Sequence, residues 1–588
     1  MAHRALECGD ILEEIFSYIH FDGPAYGRIG FGEREICKRT LKSATLVNKT
    51  FSNHALNIFW REIRSEAVAL SVLPALKFKL VDIQYPKRAG VPSFLEAQEW
   101  TYVRIPCRPC SAFSSHDGQV LDGGISAADL DRFRQYAGRV RSVWIVDEET
   151  QPDIRFPVIQ RLTAQLGGPL FPNLTHLKWN AKNVLSLSAN TGRILLCMAG
   201  LHLQTLALWP PLWLSETDAS RFFLQLSGLA PALALGSPQI QEIEMDNVDW
   251  HNRHDIYQTW DPLCAAQFIG AFKLLEKVHV DVHYMNDEVL DALLSLPRLA
   301  HLRLCTNCDW DSHTALSDGT HGCFRSLHTL DINSTHSVAT SLVQRCEWPA
   351  LRVLHAAIWK TLPSVRVRRT DYDVSPPLCY IVAFFEVVAA TLSPLLDELQ
   401  VSGHVGCTIP LAHFSISPLR PMHLLRFIEL DFLSPSACVG LHDIALNWPD
   451  LETFRIHMES QLKHSSLQIL LDVASACPRL RVVALNAFAL PLGPHLDLHG
   501  LVSHDLERIE VSNLEWNNSP NNKVGLLATQ VESVFQKLDL EEMMRWALGR
   551  SPMERTDWLA LLREMNRIRQ TKTSLEQAMS DDGAFASV

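Results

Sequence analysis

"FPNLTHLKWN", residues 171 to 180, sets Leu174, Leu177 and Trp179 in a compact pattern: an apolar residue, two free positions, an apolar residue, one free position, an apolar residue. The last two alternate with polar neighbours, which is the period of a short strand with one buried face. The leading apolar residue turns the chain into that strand, and Pro172 just before it ends a preceding helix. A single match decides little. The pattern returns, however, in "LHLQTLALWP" (201–210), "SPQIQEIEMDNV" (237–248), "KLLEKVHVDV" (273–282) and "LPRLAHLRLC" (296–305). It continues in "FRSLHTLDIN" (324–333), "WPALRVLHAA" (348–357), "PLLDELQVSG" (394–403) and "LLRFIELDF" (424–432). "WPDLETFRIH" (448–457), "CPRLRVVALN" (477–486) and "HDLERIEVSN" (504–513) complete a set of twelve.

This is the L-x-x-L-x-L core of a leucine-rich repeat, and its spacing varies from about 24 to 44 residues. Helical stretches such as "DEVLDALLSL" (287–296) and "SSLQILLDVASA" (465–476) fill the intervals. The fold class expected is therefore α/β: a leucine-rich-repeat solenoid over 171–515, with a curved parallel sheet inside and helices outside. Residues 64–170 read as a connecting region with degenerate first repeats, including a strand in "YAGRVRSVWIVD" (136–147) preceded by the helix "ISAADLDRFRQY". Residues 516–580 are amphipathic and suit a C-terminal helical cap, and 581–588 read as a disordered tail.

The first 63 residues follow another plan. "ILEEIFSYI" sets Ile11, Leu12, Ile15, Phe16 and Ile19 on one helical face behind Asp10. A glycine-containing loop over 20–40 comes next. In "LKSATLVNKTFSNHALNIFWREI" (41–63), Leu41, Ala44, Val47, Phe51, Ala55, Ile58 and Phe59 recur at helical intervals, with a bend near residue 51 if Ser52 caps a fresh helix. Trp60 closes the block.

Together these segments resemble an F-box, in the style of fungal F-box proteins with leucine-rich repeats. The matching residues are Leu6, Ile11, Leu12, Ile15, Phe16 and Ile19, then Leu46, Val47, Lys49, Phe51, Ala55, Leu56 and Trp60. Cys8 and Gly9 stand where the family usually has a proline, and Asn48 where it commonly has a cysteine. The resemblance implies a short all-α module that docks a Skp-type linker and, through it, a cullin–RING (SCF) ubiquitin ligase. It implies Leu6, Ile11, Leu12, Ile15, Phe16, Leu46, Val47, Phe51, Leu56 and Trp60 as docking residues. The repeats would then hold a protein substrate, with all chemistry left to the partner enzymes.

The free positions beside each strand are expected on the concave face. Those singled out for substrate are Trp209, Glu242, Glu244, Asp246, His279, Asp281, Arg303, Asp331, Glu398, Glu429, Asp431 and Arg455. The acidic run at 242–246 favours a basic segment.

Composition bounds the alternatives. The chain has 588 residues, is 47% hydrophobic and carries a formal charge of −12, which argues against nonspecific binding to nucleic acid or anionic membrane. The start shows no secretory apolar run, and "CYIVAFFEVVAATL" (379–392), broken by Glu386, is too short to span a bilayer. Fourteen cysteines without a framework suit a reducing compartment, so a cytoplasmic or nuclear location is expected and the sequons at Asn48, Asn173, Asn333 and Asn517 read as chance.

"HVDVH" (279–283), "CRPC" (107–110) and "CTNC" (305–308) each lack the remaining ligands of a metal site, and no metal or cofactor is expected. "GRIGFGE" has neither nucleotide-binding spacing, and no G-x-S-x-G or H-E-x-x-H occurs. The chain is read as no enzyme. The alternatives are a repeat scaffold acting outside a ubiquitin ligase and, less favoured, an enzyme with a noncanonical site in 64–170.

Overall fold

The computed structural model describes residues 9–17, 31–63, 69–70, 72–73, 125–146, 155–180, 191–209, 216–245, 260–282, 284–306, 322–359, 380–392, 395–403, 416–432, 448–458, 467–489, 504–515, 523–548 and 552–585. Two compact units divide the chain: Met1–Trp260 with Gln267–Leu275, and Asp261–Ala266 with Glu276–Val588.

In the first unit, helices α1 (Gly9–Ser17), α2 (Phe31–Ala44) and α3 (Lys49–Arg61) lead into strand β1 (Glu62–Ile63). Then come α4 (Ala127–Ala137), β2 (Ser142–Val146), α5 (Arg155–Leu166), β3 (His176–Asn180), α6 (Thr191–Met198), β4 (Thr205–Trp209), α7 (Glu216–Gly236) and β5 (Glu242–Met245). Strands β1 to β5 pair in chain order and in parallel. The sheet thus starts at Glu62, ahead of the first full repeat motif, and Ser142–Val146 is its second strand. Helix α8 (Pro262–Gly270) follows β5.

The second unit holds β6 (Lys277–Val282), α9 (Asp287–Leu294), β7 (His301–Thr306), β8 (Gly322–Cys323), β9 (Thr329–Thr335), α10 (His336–Arg345), β10 (Cys346–Glu347) and β11 (Val353–Trp359). It continues with α11 (Tyr380–Leu392), β12 (Glu398–Gly403), β13 (Phe427–Phe432), β14 (Thr453–Met458), α12 (Leu467–Ala476), β15 (Val482–Ala489) and β16 (Arg508–Glu515). The main sheet runs β6-β7-β9-β11-β12-β13-β14-β15-β16, every pair parallel, while β8 and β10 form a separate pair. Helices α13 (Lys523–Val534), α14 (Leu540–Leu548) and α15 (Pro552–Phe585) close the chain. Helix α15 runs through residue 585, into the stretch the sequence reading leaves as a tail.

The repeat pattern accounts for the packing residue by residue. The leading apolar residue of every motif, from Leu174, Leu203 and Ile240 to Leu451, Leu480 and Leu506, is at most 2% exposed. The second residue is buried as well, as in Leu177, Leu302, Leu399 and Ile509. Parallel strands buried by crossovers need each turn of chain to satisfy its backbone without a hairpin. Here one carbonyl before each strand takes two amides from the next repeat. Arg141 O accepts from Thr175 N (2.8 Å) and His176 N (3.0 Å), and Arg481 O accepts from Glu507 N (2.9 Å) and Arg508 N (3.0 Å). Unequal helices and loops are tolerated because this spine and the strand core keep a constant step. The fold is that of a leucine-rich-repeat protein.

The apolar segment 380–392 forms α11, with Ile381, Phe384, Phe385 and Val388 buried in the repeat core. No helix among the described residues is long and apolar enough to cross a membrane.

At the N-terminus the structure corrects two expectations. The first is the 20–40 loop, which already becomes helical at Phe31. The second is the bend, which falls at residues 45–48 and not near 51. Asn48, in extended conformation, accepts the Phe51 amide on its side chain at 2.9 Å, so Asn48 and not Ser52 begins α3. A side-chain acceptor at this position satisfies one of the orphan amides of the first turn. Asn48→Ala is therefore expected to lower stability by about 1 kcal/mol, measured as a shift in the chemical unfolding midpoint.

Candidate functional site

The three N-terminal helices enclose a small core of Leu12, Leu41, Ala55 and Ile58, with Ala44, Phe51 and Phe59 packed against it. The expected docking residues divide around that core. Leu12 is fully buried and Trp60 is 8% exposed. Phe51 and Leu56 are half-buried. Ile11 (41%), Ile15 (44%), Leu46 (83%) and Val47 (62%) face solvent. Ile11 and Ile15 lie one turn apart on α1. Leu46 and Val47 occupy the turn that Asn48 terminates, where their amides bond back to Ser43 O and Ala44 O. Leu6 and the side chain of Phe16 fall outside the described residues.

Trp60 is spent on internal packing. Its ring lies 4.9 Å from that of Tyr136 at the end of α4, and Arg139 donates to Asn53 O at 3.3 Å. Arg61 O accepts the Arg141 amide at 2.9 Å, so the carbonyl spine of the sheet begins in α3 itself. Trp60 is thus buried against the first repeat and Leu12 in the core of the module, so neither is exposed.

The second surface is the outward face of the sheet, and each unit has its own. In the first unit, register aligns Trp144, Lys178, Ala207 and Glu244 in one row, with Asn180 and Trp209 in the next. Trp209 leans across β3 to meet Trp144 edge-on at 6.0 Å, and the Lys178 ammonium lies 6.0 Å from the Trp209 ring centroid. Ala207 is fully buried beneath this cover. Glu242 is half-buried and accepts from Thr205 at 3.2 Å. Asp246 lies outside the described residues.

In the second unit the central row reads His279, Arg303, Asp331, His355, Gln400, Glu429, Arg455, Ala484 and Glu510. From Arg303 onward basic and acidic residues alternate along this row, interrupted by the neutral Gln400 and Ala484. Arg303 lies 3.5 Å from Asp331, His355 bonds Glu398 at 3.1 Å, and Arg455 lies 3.4 Å from Glu429. Arg455 also reaches over the small Ala484 to Glu510 at 3.7 Å, and Arg508 meets the same carboxylate at 3.2 Å. Glu510, only 5% exposed, thus has its charge compensated from two sides. Asp431 follows Glu429 on the outward side of β13. Asp281, two residues beyond His279 on β6, is 2% exposed and so is buried.

The Glu398 hydrogen bond, with the charges of Glu398, Asp331 and Glu429, raises the pKa of His355 above its ordinary 6.5, and burial opposes the shift only in part. A histidine whose folded value is raised contributes stability below its unfolded value, and that contribution fades as pH rises through the folded value. Unfolding measured across pH 6 to 8 is expected to show a loss of stability on raising pH that His355→Gln lacks.

Among the described residues no group of three His, Cys, Asp or Glu is placed to hold a metal ion. His283 and both members of "CRPC" lie outside them, as does Cys308. Cys346 and Cys477 serve as core atoms, their thiols pushed up to about 12 by burial.

No protein-family model matches the sequence, and no curated protein matches it. Solved structures do show a likeness. The TLR13–ssRNA13 complex is 12% identical at a TM-score of 0.35, over 68% of this chain and 49% of that one. The Toll–Spatzle complex of Drosophila is 13% identical at 0.31, over 68% and 44%. The APL1 leucine-rich repeat domain is 11% identical at 0.26, over 65% and 68%. The chain spans about half the length of the first two. Overlap this loose adds no argument, and the fold rests on the buried repeat positions and the sheet register.

The sequence pattern places most concave candidates on the outward face, but it misses two partners there. Trp144 belongs to a strand without the full motif, and Ala484 is the gap that lets Arg455 reach Glu510. Strand alternation alone would have found Trp144.

Proposed function

We propose that this protein is a non-catalytic substrate receptor of an SCF-type cullin–RING ubiquitin ligase. One observation carries the reading. A three-helix module too small to bury all its apolar surface leaves Ile11, Ile15, Leu46 and Val47 outside a complete core of Leu12, Leu41, Ala55 and Ile58. Exposed apolar groups concentrated on such a module mark a partner site, and the F-box resemblance names that partner as a Skp-type linker. The Trp60–Tyr136 contact and the shared carbonyl spine then hold the module to the first repeats, so whatever the sheet binds is tethered to whatever the module binds. Function on this reading is proximity: a bound substrate lysine sees a high effective concentration of the ubiquitin carrier.

Substrate contact is assigned to the outward sheet faces. Glu242 and Glu244 in one unit favour a basic protein segment, whereas in the other Asp331, Glu398 and Glu429 already face Arg303, His355 and Arg455 and offer a mixed-charge surface. Helices α13 to α15 act as the C-terminal cap: Glu507 O accepts the Asp539 amide at 2.7 Å where a further repeat would bond, and Arg508 pairs with Glu542 on α14.

A second reading, an interaction scaffold outside any ligase, is favoured by the charged sheet rows alone, since they need no linker. Co-expression with a Skp-type linker followed by affinity capture separates the two. Recovery of a stoichiometric complex supports the receptor, and absence of the linker at saturating concentration leaves only the scaffold. The enzyme alternative concerns 64–170. There Leu70, Phe133 of α4, Val143 of β2 and Leu162 of α5 are buried packing residues, and 74–124 and 147–154 lie outside the described residues.

A further inference from the structure

Helix α7 presents a surface that neither interaction face uses. Its inward side is Phe222, Phe223, Leu226, Ala230 and Leu233, each at most 4% exposed. At about 100° per residue, Leu224, Gly228, Pro231, Ala232 and Leu235 fall together on the opposite side. All five are exposed, Leu224 at 65% and Leu235 at 84%. No charged residue occurs from Phe222 to Gly236. A surface helix ordinarily carries charge on its outer side, and one that is apolar all round is a helix that something covers. A methyl group built on Gly228 would meet nothing within 4 Å, so the middle of the stripe is open between its two leucines.

The pattern also says what covers it. Reversed about a point between Leu229 and Ala230, Leu224 corresponds to Leu235 and Gly228 to Pro231, while Ala232 falls on the buried Ser227. A two-fold interface must be self-complementary. An antiparallel copy turned about that point sets Leu224 of one protomer on Leu235 of its partner, twice. The residues nearest the crossing, Gly228 and Pro231, are compact enough for the helices to approach closely. A partner chosen by charge has nothing to recognise here. We propose that α7 is a self-association face whose occupant is α7 of a second copy of this chain, antiparallel across a two-fold axis.

The stripe is roughly 18 Å long at about 1.5 Å per residue. Its area therefore falls short of the roughly 800 Å² per partner of a standard stable interface, and reversible association in the micromolar range is expected. The proposal stands apart from the ligase reading, because α7 takes no part in linker docking.

Sedimentation velocity of the full chain, from about 1 to about 100 micromolar, tests it. Wild type should shift toward dimer with concentration, and Leu224→Glu/Leu235→Glu should raise the dimer dissociation constant at least about tenfold. Leu46→Asp/Val47→Asp should associate like wild type, which separates this failure mode from that of linker docking. Geometry is read by oxidative cross-linking against a wild-type control: a mixture of Leu224→Cys and Leu235→Cys should give linked dimers, and neither variant alone should. A wild type monomeric at every concentration, a glutamate variant that associates undiminished, or a Leu224→Cys sample that links to itself as readily as in the mixture would each overturn the proposal.

Discussion

Trp60→Ala is expected to be among the most damaging single substitutions in the chain, although the F-box resemblance implies a docking role for Trp60. The indole is 8% exposed, lies tilted against Tyr136 with ring centroids 4.9 Å apart, and has Phe59 beside it at 6.1 Å. Removing a buried tryptophan typically costs about 3–5 kcal/mol, from lost transfer energy plus the cavity left behind. The loss falls on the joint between α3 and the first strands. The Arg141 amide, bonded to Arg61 O, should therefore lose hydrogen-exchange protection while the strands β11 to β14 keep theirs. Equal protection at Arg141 in wild type and variant would contradict the packing role. A corollary bears on any binding assay: lost linker capture in Trp60→Ala reports a loosened module, not a removed contact.

That reassignment shows what the sequence could and could not disclose. Helical spacing identifies which residues of 41–63 share a face, but a three-helix module has two apolar faces, and spacing cannot say which is turned inward. Leu12 and Ile11 are adjacent and equally apolar, yet one is fully buried and the other 41% exposed. The packing of α1 chiefly against α3 decides between them. Helix α2 is hidden because its start, "FGEREICKRT", is polar and preceded by glycines. Asn48 was legible only as a departure from a family pattern, whereas its side chain performs the local task of ending a turn.

The repeats are the opposite case. Their three apolar positions are fixed by a strand that must bury one face, so the buried set follows directly from the pattern. β1 escaped because two residues cannot display a period. The ion pairs on the outward face escaped for a different reason. Arg455 and Glu510 are brought together by register across an intervening strand, and the irregular loop lengths between repeats erase any fixed sequence spacing that would have announced the pair.

The largest functional effect is expected from Leu46→Asp/Val47→Asp. Both side chains are exposed, at 83% and 62%, in a turn whose backbone bonds do not involve them. Surface substitutions of this kind usually change stability by no more than about 0.5 kcal/mol, so the variant should unfold with wild type. Linker binding should respond very differently. Interface anchors contribute about 2 kcal/mol or more on truncation, and an aspartate adds a charge that the partner's apolar pocket cannot solvate. Two such changes together are expected to weaken the complex by at least about a hundredfold, read by titration of the purified linker. Ile11→Asp/Ile15→Asp, on the neighbouring stripe of α1, should reproduce the loss, because a docked partner must cover both stripes to bury either. Undiminished affinity in both variants, with folding intact, would leave the module as packing alone and return the repeats to the scaffold reading.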